Sequence, residues 1–87
     1  VIFEKDVDTT NVTDKCCNLV VHNDEVNTFD WVIDSLIEVC EHTPPQAEQC
    51  TLIIHFKGKA SVRHGEHAKL NPMRVGLVDR GINATIE

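Results

Sequence analysis

The run LVVHNDEVNTFDWVIDSLIEVC, residues 19–40, holds the first residues whose types could do chemistry. An apolar, β-branched stretch stops at His22-Asn23-Asp24-Glu25, several residues before anything helical needs a cap. The helix that follows has a start signal of its own at Asn27, so Asn23 and Asp24 are not needed there. Polar groups left over at the mouth of a packed domain call for a partner. Five histidines (22, 42, 55, 64 and 67) and four cysteines (16, 17, 40 and 50) add a second possibility, metal binding. His64-x-x-His67 has ligand-like spacing. There is no C-x-x-C, however, and structural zinc usually announces itself by paired cysteines at close spacing.

The elements that must position these groups fit one domain. The chain has 87 residues, 41% of them hydrophobic and 25% charged, which is ordinary globular composition. A domain of this size buries roughly 60–65% of the surface its unfolded chain exposes, so one thin core is expected. The net charge of −6 and the absence of a Lys/Arg cluster or aromatic platform argue against nucleic acid. No apolar run approaches the roughly 20 residues of a membrane span. Adjacent Cys16 and Cys17 alternate across a strand and are not expected to bridge each other. Cys40 and Cys50 read as small hydrophobes on helix faces. A reducing, cytoplasmic setting is the simplest expectation. Two N-x-T sequons, at Asn11 and Asn83, would matter only in a secreted protein.

Residues 1–14 mix charges and threonines and read as a flexible N-terminal arm, with one domain over 15–87. Cys16 to Val21 is a strand candidate. Asn27 is the expected cap of a helix, with Asp30 at N3 and Val26–Trp31 as a hydrophobic staple. Phe29, Val32, Ile33, Leu36, Ile37 and Cys40 form its apolar stripe, while Asp30, Asp34, Glu38 and Glu41 read as a solvated face. Thr43-Pro44-Pro45-Gln46 writes a second helix start, a cap, proline at N1 and a capping box. That helix should run through LIIHF to Gly58. The β-branched TLIIHF competes as a strand, but both ends carry helix signals. Lys59 to Arg63 reads as a short strand. Asn71-Pro72 starts or restarts a helix ending at Arg80, with Gly81 beyond it, and INATIE is a last strand. The order β-α-α-β-α-β predicts a small antiparallel sheet packed on helices.

A strand ending in Asn23-Asp24, a helix reading FDWVIDSLI and a second helix ending in IIHFKGKA together resemble the ClpS family. The similarity covers about residues 18–87, and Asn23-Asp24 with His55-x-x-Gly58-Lys59 is its most specific part. The resemblance implies an α+β sandwich, a three-stranded antiparallel sheet against three helices. It also implies a non-enzymatic adaptor that binds substrate proteins by a free first residue, Leu, Phe, Trp or Tyr. The adaptor delivers them to the N-terminal domain of a Clp-type AAA+ unfoldase and uses no cofactor or metal. The α-amino clamp would be Asn23, Asp24 and His55. The pocket would be Phe29, Val32, Thr51, Ile54 and Ile82, with Glu25 and Asn27 at its rim. Glu66, Lys69 and Arg74 would dock the unfoldase. Family members often carry Met at the positions matching Phe29 and Thr51. The alternatives carried beside this reading are a small zinc-binding domain and another kind of protein-interaction domain.

The chemistry suits such a clamp. An α-ammonium is a donor-only cation, so a site selective for it needs acceptors and a countercharge in fixed geometry. The Asn23 side-chain oxygen and a nitrogen of neutral His55 can accept, and Asp24 can supply charge. Nothing in the set is a nucleophile with a base beside it, so no reaction is implied.

Overall fold

A computed structural model describes residues 17–87. The expected arm over 1–14 lies outside the described residues, as do Cys16 and the Asn11 sequon. The order is β1 (Cys17–His22), α1 (Phe29–Cys40), α2 (Pro44–Lys57), β2 (Lys59–Gly65), α3 (His67–Asp79) and β3 (Ala84–Ile86). This is the expected β-α-α-β-α-β. β1 is the central strand of an antiparallel sheet ordered β2-β1-β3. Val21 pairs with both Ala60 and Ala84, and a register shift falls between Leu19 and Val20. The last strand alternates as its sequence suggests: Ile82 and Ala84 are buried, while Asn83 and Glu87 are exposed. Leu19 and Val21 of β1 join Val32, Leu36 and Cys40 of α1 and Ala47 and Ile54 of α2 in one core, completed by Leu70 and Leu77 of α3.

The second helix begins as its sequence predicts. Thr43 Oγ1 accepts from Gln46 N–H, the Gln46 side chain accepts from Thr43 N–H, and proline fills N1. Gly58 ends it at φ 91°, a conformation that costs glycine little. TLIIHF is therefore helical, with Thr51 and Ile54 turned inward.

Several expectations need correcting. The cap of α1 is Thr28, not Asn27: Thr28 Oγ1 accepts from Trp31 N–H at 3.1 Å. The frame moves by one, so Asp30 sits at N2 and Trp31 at N3. Val26, 86% exposed, staples nothing. The strand expected to end at Arg63 continues to Gly65. The third helix starts at His67, five residues before Pro72, which lies inside it. Leu70, 1% exposed, anchors that first turn in the core. The helix ends at Asp79, where Gly81 N–H donates to Val78 O and Ile82 N–H to Leu77 O. These are the two bonds of a Schellman terminus. Finally, the acidic face of α1 is not merely solvated. Glu38 pairs with Arg80 at 2.7 Å, and the Arg80 guanidinium lies 5.2 Å from the centre of the Trp31 ring.

Two contacts set how the helices sit. His42 is buried, and its Nε2 lies 2.7 Å from the carbonyl of Val62. A carbonyl only accepts, so Nε2 carries the proton and pins the α1–α2 loop to β2. Gly76 of α3 faces Val39 of α1 so closely that a Cβ there would lie 3.0 Å from Val39 Cγ1. No helix among the described residues is long and apolar enough to cross a membrane.

Candidate functional site

The residues of interest come from three elements. Asn23 follows β1, and its backbone N–H donates to Gly58 O at 2.8 Å. That bond ties the start of the β1–α1 loop to the end of α2, and His55 lies three residues before Gly58 on the last turn of α2. The two halves of the expected clamp are thus brought together by a backbone bond that any residue at 23 except proline could make.

Between them opens a cavity of about 430 Å³. Asn23, Asp24 and His55 line its polar side, and Phe29, Val32, Thr51 and Ile54 line its apolar side. Glu25 and Asn27 complete the rim. Among the expected pocket residues, Ile82 stands apart. It is buried and borders a separate void of about 20 Å³ behind Asn23, Asp24 and Val32. Ile82 belongs to the core cluster with Val32 and Ile54, which do line the larger cavity. Thr28 lines the cavity and was not anticipated. A Thr directly after an Asn offers two adjacent cap candidates, and that ambiguity was the available signal.

Charge is organised by the loop itself. Asp24 Oδ1 accepts from the backbone N–H groups of Val26 and Asn27, each at 2.9 Å, and Oδ2 accepts from Asn27 Nδ2 at 2.9 Å. The Asn27 backbone N–H, followed by the other two donors, holds the Asp24 carboxyl below its ordinary value against the opposing effect of desolvation. Asp24 is thus a fixed anion that also shapes its own loop, an Asx turn closed on itself.

The apolar side is made of core side chains with one face uncovered. Val32 and Ile54 are nearly buried, and Phe29 is 39% exposed at the opening. The rings of Phe29 and Phe56 both meet His55 edge-on, with centroids 6.3 and 5.4 Å away. Thr51 is buried and its hydroxyl donates to Ala47 O at 2.7 Å, so that hydrogen is used within α2. The wall is therefore less polar than a free hydroxyl would make it.

Two of the histidines that suggest a metal are engaged elsewhere. His22 Nε2 lies 2.8 Å from Thr85 Oγ1, and His64 Nδ1 lies 3.2 Å from Asn18 Oδ1. Among the described residues no three His, Cys, Asp or Glu side chains gather as a metal would need. Cys17, Cys40 and Cys50 are free thiols. Of the residues suggested for docking, Glu66 precedes α3 without a side-chain cap bond and Lys69 is exposed. Arg74 is bound to Asn71 Oδ1 through Nε and Nη2, at 3.2 and 3.1 Å.

Known proteins share this fold. The chain is 40% identical over 40 residues to the ATP-dependent Clp protease adapter protein ClpS of Nitratidesulfovibrio vulgaris. That alignment takes in 46% of this chain and 40% of the relative's length. The structure of Agrobacterium tumefaciens ClpS2 bound to L-phenylalaninamide superposes with a TM-score of 0.71 at 15% identity, covering 86% of this chain and 98% of that one. The family model for the ATP-dependent Clp protease adaptor protein ClpS matches residues 13–80, most of the length, and the chain belongs to the ClpS family.

Proposed function

We propose that the protein is an adaptor that holds the free first residue of a substrate protein, when that residue is Leu, Phe, Trp or Tyr, and delivers the substrate to a Clp-type AAA+ unfoldase. The observation that carries this reading is the two-sided cavity. The polar residues Asn23, Asp24 and His55 and the wall residues Phe29, Val32, Thr51 and Ile54 line the same space. An α-ammonium needs acceptors and a fixed anion. A large apolar side chain needs an uncovered patch of core, and the two needs lie one residue's length apart in any N-terminal residue. L-phenylalaninamide, bound by the Agrobacterium relative, joins a free amine to an aromatic side chain in just that way. The residues form no nucleophile–base pair, and we assign no catalysis.

The unfoldase partner, through its N-terminal domain, belongs to the same proposal, with Glu66, Lys69 and Arg74 as the docking residues. A cytoplasmic setting suits the free thiols. The test is binding of a short Phe-initiated peptide against its N-acetylated twin. Acetylation removes the charge and a donor while leaving the side chain intact. The adaptor should bind the free peptide and lose the acetylated one. Equal affinity for the two would overturn the reading.

A further inference from the structure

We propose that Asn27 is a positioning residue of the ammonium clamp, its carboxamide orienting Asp24 and fastening that carboxylate to the turn that ends α3. The inference rests on the N-terminal-residue reading above and deepens it. Asn27 Nδ2 donates to Asp24 Oδ2 at 2.9 Å and to Gly81 O, 54 positions along the chain, at 2.8 Å. An amide nitrogen has two hydrogens, and both are used. Both partners are acceptors only, which fixes which end of the carboxamide is the nitrogen.

The consequence for Asp24 is geometric. A carboxylate offers about four acceptor directions. Three are taken, by the N–H groups of Val26 and Asn27 and by the Asn27 side chain. Two of the three donors thus come from one residue, and the carboxylate cannot turn. What is left for a ligand cation is one preset direction.

The anchor is rigid for independent reasons. Gly81 lies in the Schellman terminus of α3, at φ 83°. The neighbouring carbonyl, Arg80 O, accepts from Trp31 Nε1 at 3.0 Å, so a second tie runs from the start of α1 to the same turn. The clamp loop therefore takes its position from the end of α3 as well as from β1. Without the Asn27 carboxamide, Asp24 keeps its backbone donors but loses the tie that stops it swinging. The apolar wall does not depend on that tie.

Affinity should be measured with the full 87-residue chain for three peptides: Phe-initiated, its acetylated twin, and Ala-initiated. Wild type, Asn27→Ala, Asn27→Ser and Thr43→Ala should be compared, each with its thermal melt. Thr43→Ala removes the cap of α2, away from the cavity lining, and controls for general loosening. Asn27→Ala should weaken the free Phe peptide about tenfold, the scale of one hydrogen bond to a charged group, and leave the acetylated one unchanged. The preference for Phe over Ala should survive. Asn27→Ser, with a single donor, should fall between, and Thr43→Ala should keep the wild-type ratio of free to acetylated binding. Asn27 variants with the wild-type ratio, or a Thr43→Ala variant that loses it equally, would overturn the inference and leave the adaptor reading standing. A wild-type protein that ignores acetylation would overturn the adaptor reading itself.

Discussion

The ring of Phe29 meets the ring of His55 edge-on, with centroids 6.3 Å apart and planes at 78°. One ring belongs to the first turn of α1 and the other to the last turn of α2, and both residues line the cavity. It restricts both rings. On the proposed function, a first residue entering the cavity would meet a stiff aromatic edge rather than a flexible thioether.

That stiffness sets the first prediction. Val- and Ile-initiated peptides should bind much less well than Leu- or Phe-initiated ones, because branching at Cβ crowds the edge of Phe29. Phe29→Met should relax this discrimination, since Met adapts its shape. Thr51→Met should alter the ranking of Leu against the aromatics without altering the requirement for a free amine. Competition binding with a peptide series reads all three, and equal affinity for Val- and Phe-initiated peptides would contradict the pocket.

Acid stability is a second test. Asp24 has its carboxyl held below the ordinary value of 3.8, first by the Asn27 backbone N–H. A depressed carboxyl contributes stability that is full above its ordinary value and is lost as pH falls through the folded one. Asp24→Asn should therefore remove part of the stability lost on the acid side, and an acid unfolding profile unchanged by it would contradict the loop bonds. In peptide binding, His55→Ala should lower affinity by about 1.5–3 kcal/mol, the range for a hydrogen bond to a charged group. Unchanged affinity in His55→Ala would remove His55 from the clamp.

The cap of α1 offers a stability test. Thr28→Ala should cost about 1 kcal/mol, and within roughly 0.5–2, as N-cap truncations do. Urea unfolding would show it as a shifted midpoint with an unchanged slope. An Asn27 variant that costs the helix as much as Thr28→Ala while leaving Asp24 undisturbed would return the cap to Asn27.

Alkaline behaviour should follow Cys40. Its thiol is fully buried, and burial pushes it from 9.0 up to about 11, partly offset by Arg63. For an acid whose folded value is raised, stability is complete below the unfolded value. It declines as the unfolded thiol ionises first. Stability should thus fall between pH 9 and 11, and Cys40→Ala should show a shallower decline from a lower starting point. Cys40 should also resist thiol reagents until the protein unfolds, and modification at the rate of an exposed thiol would contradict its burial.

The parts of this fold that were legible in the sequence are those where one local rule acts alone. Thr43-Pro44-Pro45-Gln46 has no competing start nearby, and α2 begins there. Asn27-Thr28 offers two caps, and the choice was made 54 residues away: Gly81 O takes the Asn27 carboxamide, leaving Thr28 to bond Trp31. Pro72 marked a helix start by its own geometry, yet burial of Leu70 drew the preceding turn into the helix. Asn23, Asp24, His55, Phe29, Val32, Thr51 and Ile54 could be grouped from the sequence, and they line one cavity, because their motif sits in short segments of fixed spacing. Ile82 lines a neighbouring void instead, and its depth depends on long-range packing that no local pattern encodes.

Gly76 gives the molecule a way to change its grip at a distance. A side chain there would press on Val39 Cγ1 at 3.0 Å, and five residues further on the Gly81 carbonyl accepts from the Asn27 carboxamide. A larger residue at 76 would therefore strain the stretch of chain from which Asn27 takes its anchor. On the proposed function, a change in α3 that touches no ligand could in this way weaken the hold on the amine while the apolar wall stays as it is.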